Sequence, residues 1–262
     1  MSSTSSTAIT PSSTAKDVLI GIDVGTSSTK VAAFTRDAAV LADQTRDYRL
    51  VVDAPGFVEQ DPNEWWEAIT LATRAVVETV GAHRVAGVGV SGQSWSAVPV
   101  DADGTVLANT PIWMDTRSQN ICDDLVARVG ADRILAVSGN RLAPTYTTGK
   151  IIWFQRNRPE VYRAARWFLQ SSSFIVLRLT GRVSQDVSQS YGIHAWDTAT
   201  GEYRRWRPSS ASTSPGSRRR CPATRSSGPS PPRPPPRPGW PRARRSSPGV
   251  STPPAGRSGP AS

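Results

Sequence analysis

Apolar positions along this chain recur at two different periods, and turn residues mark where one period gives way to the other. Residues 18–23 form a short apolar run closed by Gly-rich turn residues, residues 29–35 form a second, β-branched run, and the two read as a hairpin. Residues 40–52 continue in the same extended style. From residue 61 the period changes: Trp65, Trp66, Ile69, Ala72, Val76 and Val77 fall at helical spacing. Asp61 suits the N-cap of that helix, Pro62 its first turn, and Glu64 follows three residues after the cap. Residues 85–91 read as a buried strand, 97–100 as another, and 101–104 as a turn between extended segments. This order of strands, one long helix and further strands opens a layered α/β fold.

Beyond that point the spacing predicts helices over 121–129 and 151–165. Residues 167–179 mix apolar side chains with a Ser triplet and suit either helix or strand. Residues 181–196 carry strand-like pieces around a turn at Gly192, and 197–206 read as a turn toward a helix that the sequence then does not supply. After residue 207 the pattern stops. The last 55 residues hold 15 Pro, and Trp240 and Val250 are their only large apolar residues. Such a segment cannot bury enough apolar area to offset an ordering entropy of about 1–2 kcal/mol per residue, so disorder is expected over 208–262. The Ser/Thr-rich residues 1–16 lack the basic opening and apolar stretch of a secretory signal and read as a disordered lead-in. One folded domain is expected over 17–207.

Charge separates the same regions. The formal charge of +10 equals the ten Arg of residues 208–262, which contain no Lys, Asp or Glu, while residues 1–207 balance 21 basic against 21 acidic side chains. The basic excess therefore says nothing about what the folded part binds. Nucleic acid, or a proline-recognising domain, enters only as an alternative for the tail. Cys122 and Cys221 are far apart and lack metal-type spacing, and no run of about 18 apolar residues occurs, so a reduced, cytoplasmic protein without a membrane partner is expected.

The chemistry is concentrated in residues 20–30, Ile-Gly-Ile-Asp-Val-Gly-Thr-Ser-Ser-Thr-Lys. A strand ends in the Asp23 carboxylate, Gly25 permits a tight turn, and the Thr26, Ser27 and Ser28 hydroxyls and backbone N–H groups can donate to phosphate oxygens. Asp23 at a strand end can orient a hydrated Mg2+. The plain alternative is an ordinary Gly-Thr-Ser hairpin turn. The G-x-x-x-x-G-K-[ST] loop is absent.

This element resembles the opening of the FGGY carbohydrate kinases, relatives of hexokinase and actin. The resemblance continues through Glu59-Gln60-Asp61-Pro62 with Trp65-Trp66, through residues 89–93 (Gly-Val-Ser-Gly-Gln) and through residues 112–117 (Ile-Trp-Met-Asp-Thr-Arg). It implies the amino-terminal half of an actin/hexokinase-like (ribonuclease H-like) ATPase domain. It also implies ATP and Mg2+ at Asp23, Gly25, Thr26, Ser27, Ser28 and Lys30, with Asp23 toward the metal. A small sugar is implied between Gln93, Ser94 and Trp95 on one side and Trp113 and Asp115 on the other. A homodimer is left open for the full-length relative. The Trp pair is expected in the core, and His83, His194 and Asp186 are expected to be structural.

Within the family the resemblance is strongest to the xylulose-directed branch, which makes a pentulose the expected substrate. Ser94-Trp95-Ser96 departs from that branch's usual Met-His-Gly or Gln-His-Gly, replacing an imidazole by an indole, so other pentuloses, gluconate or a polyol stay open. The family's catalytic carboxylate lies in a later Ala-Gly-x-x-Asp-x-x-x-Gly-Ala element, which is missing from this sequence, and the second, adenine-side domain is absent too. On its own the polypeptide is therefore expected to be inactive, with a non-catalytic sugar-binding fragment as the rival reading. The Arg, Pro, Ser, Gly and Ala bias of 208–262 is what a GC-rich gene yields out of frame. With suitable codons, a two-base shift turns residues 251–259 into an Asp-x-x-x-Gly-Ala-x-Gly element, so a frameshift is expected shortly after Arg207.

Overall fold

The computed structural model describes residues 16–203. The predicted hairpin is present: β1 (Val18–Val24) and β2 (Ser28–Phe34) pair antiparallel, with Asp23 opposite Lys30 and Val24 opposite Thr29. β3 (Val40–Asp47) adds antiparallel to β2. The extended run expected over 40–52 is broken after Asp47, and β4 (Val51–Ala54) with β5 (Phe57–Gln60) belongs to a second small sheet.

α1 (Pro62–Val80) forms as the sequence predicts. The Asp61 side chain accepts the Asn63 N–H at 2.8 Å, Pro62 occupies the first turn, and Gly81 at φ +85° ends the helix where a side chain would be strained. Glu64 does not complete a capping box. Its carboxylate accepts the Arg49 backbone N–H at 3.1 Å and pairs with the Arg49 guanidinium. α1 buries Trp65, Ile69, Ala72 and Val76 against β2 and β3. Trp65 is wholly buried, and cutting it to Ala would cost about 3–5 kcal/mol.

A short 3-10 turn over Ala82–Arg84 leads to β6 (Val85–Gly92), which pairs parallel to β1 and completes a sheet of order β3-β2-β1-β6. Then follow β7 (Val98–Val100), β8 (Thr110–Pro111) beside β5, α2 (Gln119–Val129), α3 (Ala131–Ser138), α4 (Thr147–Asn157) and α5 (Pro159–Ala164). The single helix expected over 151–165 is split at Arg158, because Pro159 starts a new first turn. The ambiguous stretch resolves into both structures: β9 (Trp167–Leu169) pairs with β7, and the Ser triplet opens α6 (Ser171–Thr180).

Two expectations are corrected near the end. In place of strand-like pieces, residues 181–196 hold α7 (Val187–Ser190), capped by the Asp186 side chain, and turns. The expected turn after Asp197 is present, but instead of leading toward a helix it joins the hairpin β10 (Trp196–Asp197) and β11 (Glu202–Tyr203), closed by an edge contact of Trp196 on Tyr203 at 5.0 Å. The expectations for the lead-in before Lys16, for Cys221 and for the Arg/Pro-rich tail with its frameshift lie outside the described residues.

Strand β1 alternates as half-buried strands do. Val18, Ile20, Ile22 and Val24 enter the core with α1, Phe174 and Ile175, while Leu19, Gly21 and Asp23 take the opposite face. Strand β6, predicted as buried, is half exposed along its length. Among the described residues α1 and α6 cover one face of the sheet and no element covers the other. There Leu19 is 44% and Val40 60% exposed, beside an open trough of about 670 Å³ along β1, β2, β3 and β6.

Candidate active site

The carboxyl ends of β1 and β6 lie side by side, so the turn after each strand opens on the same place. A cleft of about 400 Å³ there is lined by Asp23, Gly25 and Thr26 from the hairpin, by Gly92 at the end of β6 and Gln93, Ser94 and Trp95 after it, and by Trp113. The trough on the open sheet face is larger; Asp23, Lys30 and Asp43 stand on its wall among mostly apolar surface. The cleft gathers the polar groups and is where chemistry is available.

The hairpin is built for close approach. The Gly25 N–H closes the turn on Ser28 O at 3.0 Å, and a Cβ on Gly25 would lie 2.9 Å from that carbonyl. The Tyr48 hydroxyl, pushed above its usual range by burial and by the charge of Asp23, reaches both Gly25 O and Ser28 O and locks the turn from behind. The Thr26 and Ser27 amides make no hydrogen bond among the described residues, and the Asp23 carboxylate is exposed at the cleft. The Thr26 hydroxyl accepts the Trp113 indole N–H at 3.0 Å, which ties the hairpin to the far wall.

The β6 turn is fixed as firmly. Gln93 N–H donates to Val24 O at 2.7 Å, Gln93 O accepts the Ser171 hydroxyl at 2.6 Å, and a Cβ on Gly92 would lie 2.5 Å from that Ser171 oxygen. Trp95 adopts a left-handed φ of +66°, a strained conformation for a non-glycine residue. It is held there from several sides. The Lys150 ammonium donates to Trp95 O at 2.7 Å and to Thr145 O at 2.6 Å, and the indole packs edge-on to Tyr146 at 4.5 Å and Tyr191 at 5.8 Å. Burial pulls Lys150 down to about 7, with the nearby Asp115 charge opposing the shift. The Trp95 Nε1 is buried against Gly192 and has no partner among the described residues, so this indole offers the cleft apolar surface rather than a hydrogen bond.

Four sequence-predicted site residues lie elsewhere. Lys30 points to the open sheet face and pairs with Asp43 at 3.4 Å, so it does not line the cleft. The exposed Ser27 and the strand residue Ser28 stand outside the lining; Ser28 O holds the turn closed. Asp115 is the clearest correction. It is wholly buried, one carboxylate oxygen accepting Val58 N–H at 2.7 Å and Arg117 Nε at 2.8 Å, and the other accepting Arg117 N–H at 3.1 Å. Arg117 in turn lies between Phe57 at 4.0 Å and Trp153 at 4.6 Å, and binds Glu59 at 2.6 Å. Wholly buried and outside the cleft lining, Asp115 does not meet a sugar there.

Of the Trp pair expected in the core, Trp65 is wholly buried, while Trp66 is only partly buried against the core and stacks under Arg178 at 5.0 Å; Asp186 caps α7. His194 is buried, its ring nitrogens facing the Thr148 hydroxyl and Arg141 O at 3.2 Å, and burial lowers its pKa. Gln60 was the residue sequence reasoning missed: the motif that holds it is visible, but a buried amide leaves no periodic signal.

A family model, the FGGY family of carbohydrate kinases, N-terminal domain, matches residues 18–209. The chain belongs to that family. The xylulose kinase of Escherichia coli (strain K12) is 34% identical over 180 residues, 69% of this chain and 37% of that protein. The xylulose kinase of Bacillus subtilis (strain 168) is 30% identical over 176 residues, 66% and 35% of the two chains. The crystal structure of xylulose kinase from Rhodospirillum rubrum superimposes with a TM-score of 0.69 at 28% identity, over 71% of this chain and 39% of that one. The fold is thus the α/β, actin/hexokinase-like one of sugar kinases. The chain spans less than two fifths of the length of the curated relatives it matches.

Proposed function

We propose that this chain forms the sugar-side half of an ATP-dependent kinase that phosphorylates a hydroxyl of a pentulose such as xylulose. The observation that carries the reading is the cleft itself: Asp23, Thr26 with its amide free among the described residues and the Gly25 turn stand along one wall, and Gln93, Ser94 and the two indoles complete the lining. Phosphoryl transfer is chiefly positioning and charge neutralisation, and these residues supply both. The amides and the Thr26 hydroxyl would receive phosphate oxygens. The apolar faces of Trp95 and Trp113 would bracket a sugar ring, with Gln93 and Ser94 on its hydroxyls.

The donor set also fits a magnesium-bound nucleotide. No cluster of three or more metal-ligating side chains occurs among the described residues, and Mg2+ characteristically takes one or two carboxylates and completes its shell with water and phosphate oxygens. Asp23 is that carboxylate. When bound, the ion would neutralise charge on the transferring phosphoryl group. ATP as co-substrate suits a cytoplasmic setting.

Among the described residues Asp23 is the only carboxylate lining the cleft, and a carboxylate committed to the metal cannot also accept the hydroxyl proton. The polypeptide is therefore proposed to bind both ligands and to turn over neither. Calorimetric titration with magnesium ADP and D-xylulose, beside an ATP-coupled assay, tests this. Binding of both without turnover is expected, and Asp23→Asn should weaken magnesium ADP at least tenfold while leaving D-xylulose within about threefold. Nucleotide affinity untouched by that substitution would overturn the reading.

A further inference from the structure

Gln60 lies behind the cleft, 1% exposed, where the hairpin and the β6 turn come closest. Its Nε2 donates to Thr26 O at 2.7 Å, and its Oε1 accepts Gln93 Nε2 at 2.7 Å and Trp65 Nε1 at 3.2 Å. Which end of each amide faces which way follows from the indole. Trp65 Nε1 can only donate, so Gln60 must turn its oxygen toward it. Gln60 then has only Nε2 for Thr26 O, and Gln93 must offer its own Nε2 to the same Gln60 oxygen. The Oε1 of Gln93 is left buried, without a partner among the described residues, on a side chain that lines the cleft.

We infer that Gln60 is a positioning residue with two effects: it makes Gln93 present an acceptor, never a donor, to a substrate hydroxyl, and it couples occupancy of that subsite to the phosphate-side hairpin through Thr26 O. The first effect selects a ligand that can donate at that point. A buried acceptor left unpaired is costly, and a sugar hydroxyl removes the cost. The second effect makes the two ligands cooperate, because the amide that orders Gln93 also orders the turn carrying the free Thr26 and Ser27 amides. The inference rests on the proposed sugar-and-nucleotide reading of the cleft.

The test uses the full-length polypeptide with D-xylulose and magnesium ADP, each titrated alone and with the other saturating. In the unmodified protein, D-xylulose should tighten magnesium ADP about fivefold, and the reverse by the same factor. Gln60→Glu keeps an oxygen for Trp65 and Gln93 but sets an acceptor against Thr26 O. It should abolish the cooperation and weaken magnesium ADP about three- to tenfold while D-xylulose stays within about threefold. Gln60→Met removes every bond and should weaken D-xylulose as well. Cooperation that survives Gln60→Glu, or independent binding of the two ligands to the unmodified protein, overturns the inference and leaves the functional reading standing. Failure of the unmodified protein to bind either ligand overturns both. Should Gln60→Met not fold, the side-chain amide resonances of Gln60 in the unmodified protein settle the matter: they should shift when D-xylulose is added and again with magnesium ADP, and resonances that stay still refute the coupling.

Discussion

Replacing Asp115 by Asn separates two roles that the sequence alone confuses. The carboxylate is wholly buried and accepts three hydrogen bonds, from Val58 N–H, Arg117 Nε–H and Arg117 N–H, while its ion pair with Arg117 Nη2 closes at 2.7 Å. In Asp115→Asn one oxygen becomes an NH2 group. In one orientation it confronts Val58 N–H and the guanidinium, and in the other it confronts Arg117 N–H, so a donor faces a donor either way. The Arg117 side chain, 2% exposed, keeps only Glu59 as a charged partner among the described residues. Breaking a buried pair from one side costs about 3–5 kcal/mol, and since Glu59 remains, about 3 kcal/mol is expected. With a urea dependence of about 2 kcal/mol per molar, the unfolding midpoint should fall by about 1.5 M. Circular dichroism during urea titration measures it, and D-xylulose calorimetry on the folded fraction provides the control. A midpoint moved by less than about 0.3 M together with lost sugar binding would refute this argument and return Asp115 to the sugar.

Two further outcomes follow from the Trp95 turn and its support. Lys150 titrates near 7 in the folded protein against 10.5 when unfolded, so the unfolded state holds more protons between those values and stability rises with pH across them. From pH 7 to pH 9 the gain should be on the order of 2 kcal/mol and should be absent in Lys150→Met; above pH 9 the buried Cys122 thiol, pushed up to about 11, contributes the opposite slope. A wild-type midpoint that is flat or falling over that window would contradict the assigned burial. Gly192→Ala would drive a methyl group into the Trp95 indole, so tryptophan emission should shift and D-xylulose should weaken by about tenfold or more, with magnesium ADP within about threefold. Unchanged emission and affinity would show that the turn can yield.

Apolar runs and capping made β1, β2 and α1 legible, because residues 18–22 form an apolar run closed by turn residues and Asp61-Pro62 can do little other than start a helix. The hairpin chemistry was legible for a related reason: a carboxylate, a glycine and hydroxyls within six residues leave few uses. What the sequence concealed depends on contacts between distant positions. Lys30 follows the hydroxyl run but its ammonium is taken up by Asp43 on the next strand, and Asp115 looks like a loop carboxylate until Arg117, Phe57 and Trp153 close around it. Gln60 carried a role no local pattern reveals, since its partners Thr26 and Gln93 are 34 and 33 residues away. Residues 181–203 misled because Asp186 and Asp197 shape the backbone there through local hydrogen bonds, which leave no periodic signal.

Strand β6 runs alongside β1 in the parallel sense, and layers of that kind are ordinarily roofed on both sides. Here the described residues supply one roof. Leu19 and Val40 meet water where a packed helix would ordinarily dry them, at about 25 cal/mol for every square ångström left wet. Crowding is the practical consequence: molecules with a bare greasy floor adhere to one another as their number rises. Every titration above should therefore be run as a dilution series, and heat signals that scale with protein rather than with ligand belong to that floor, not to the cleft.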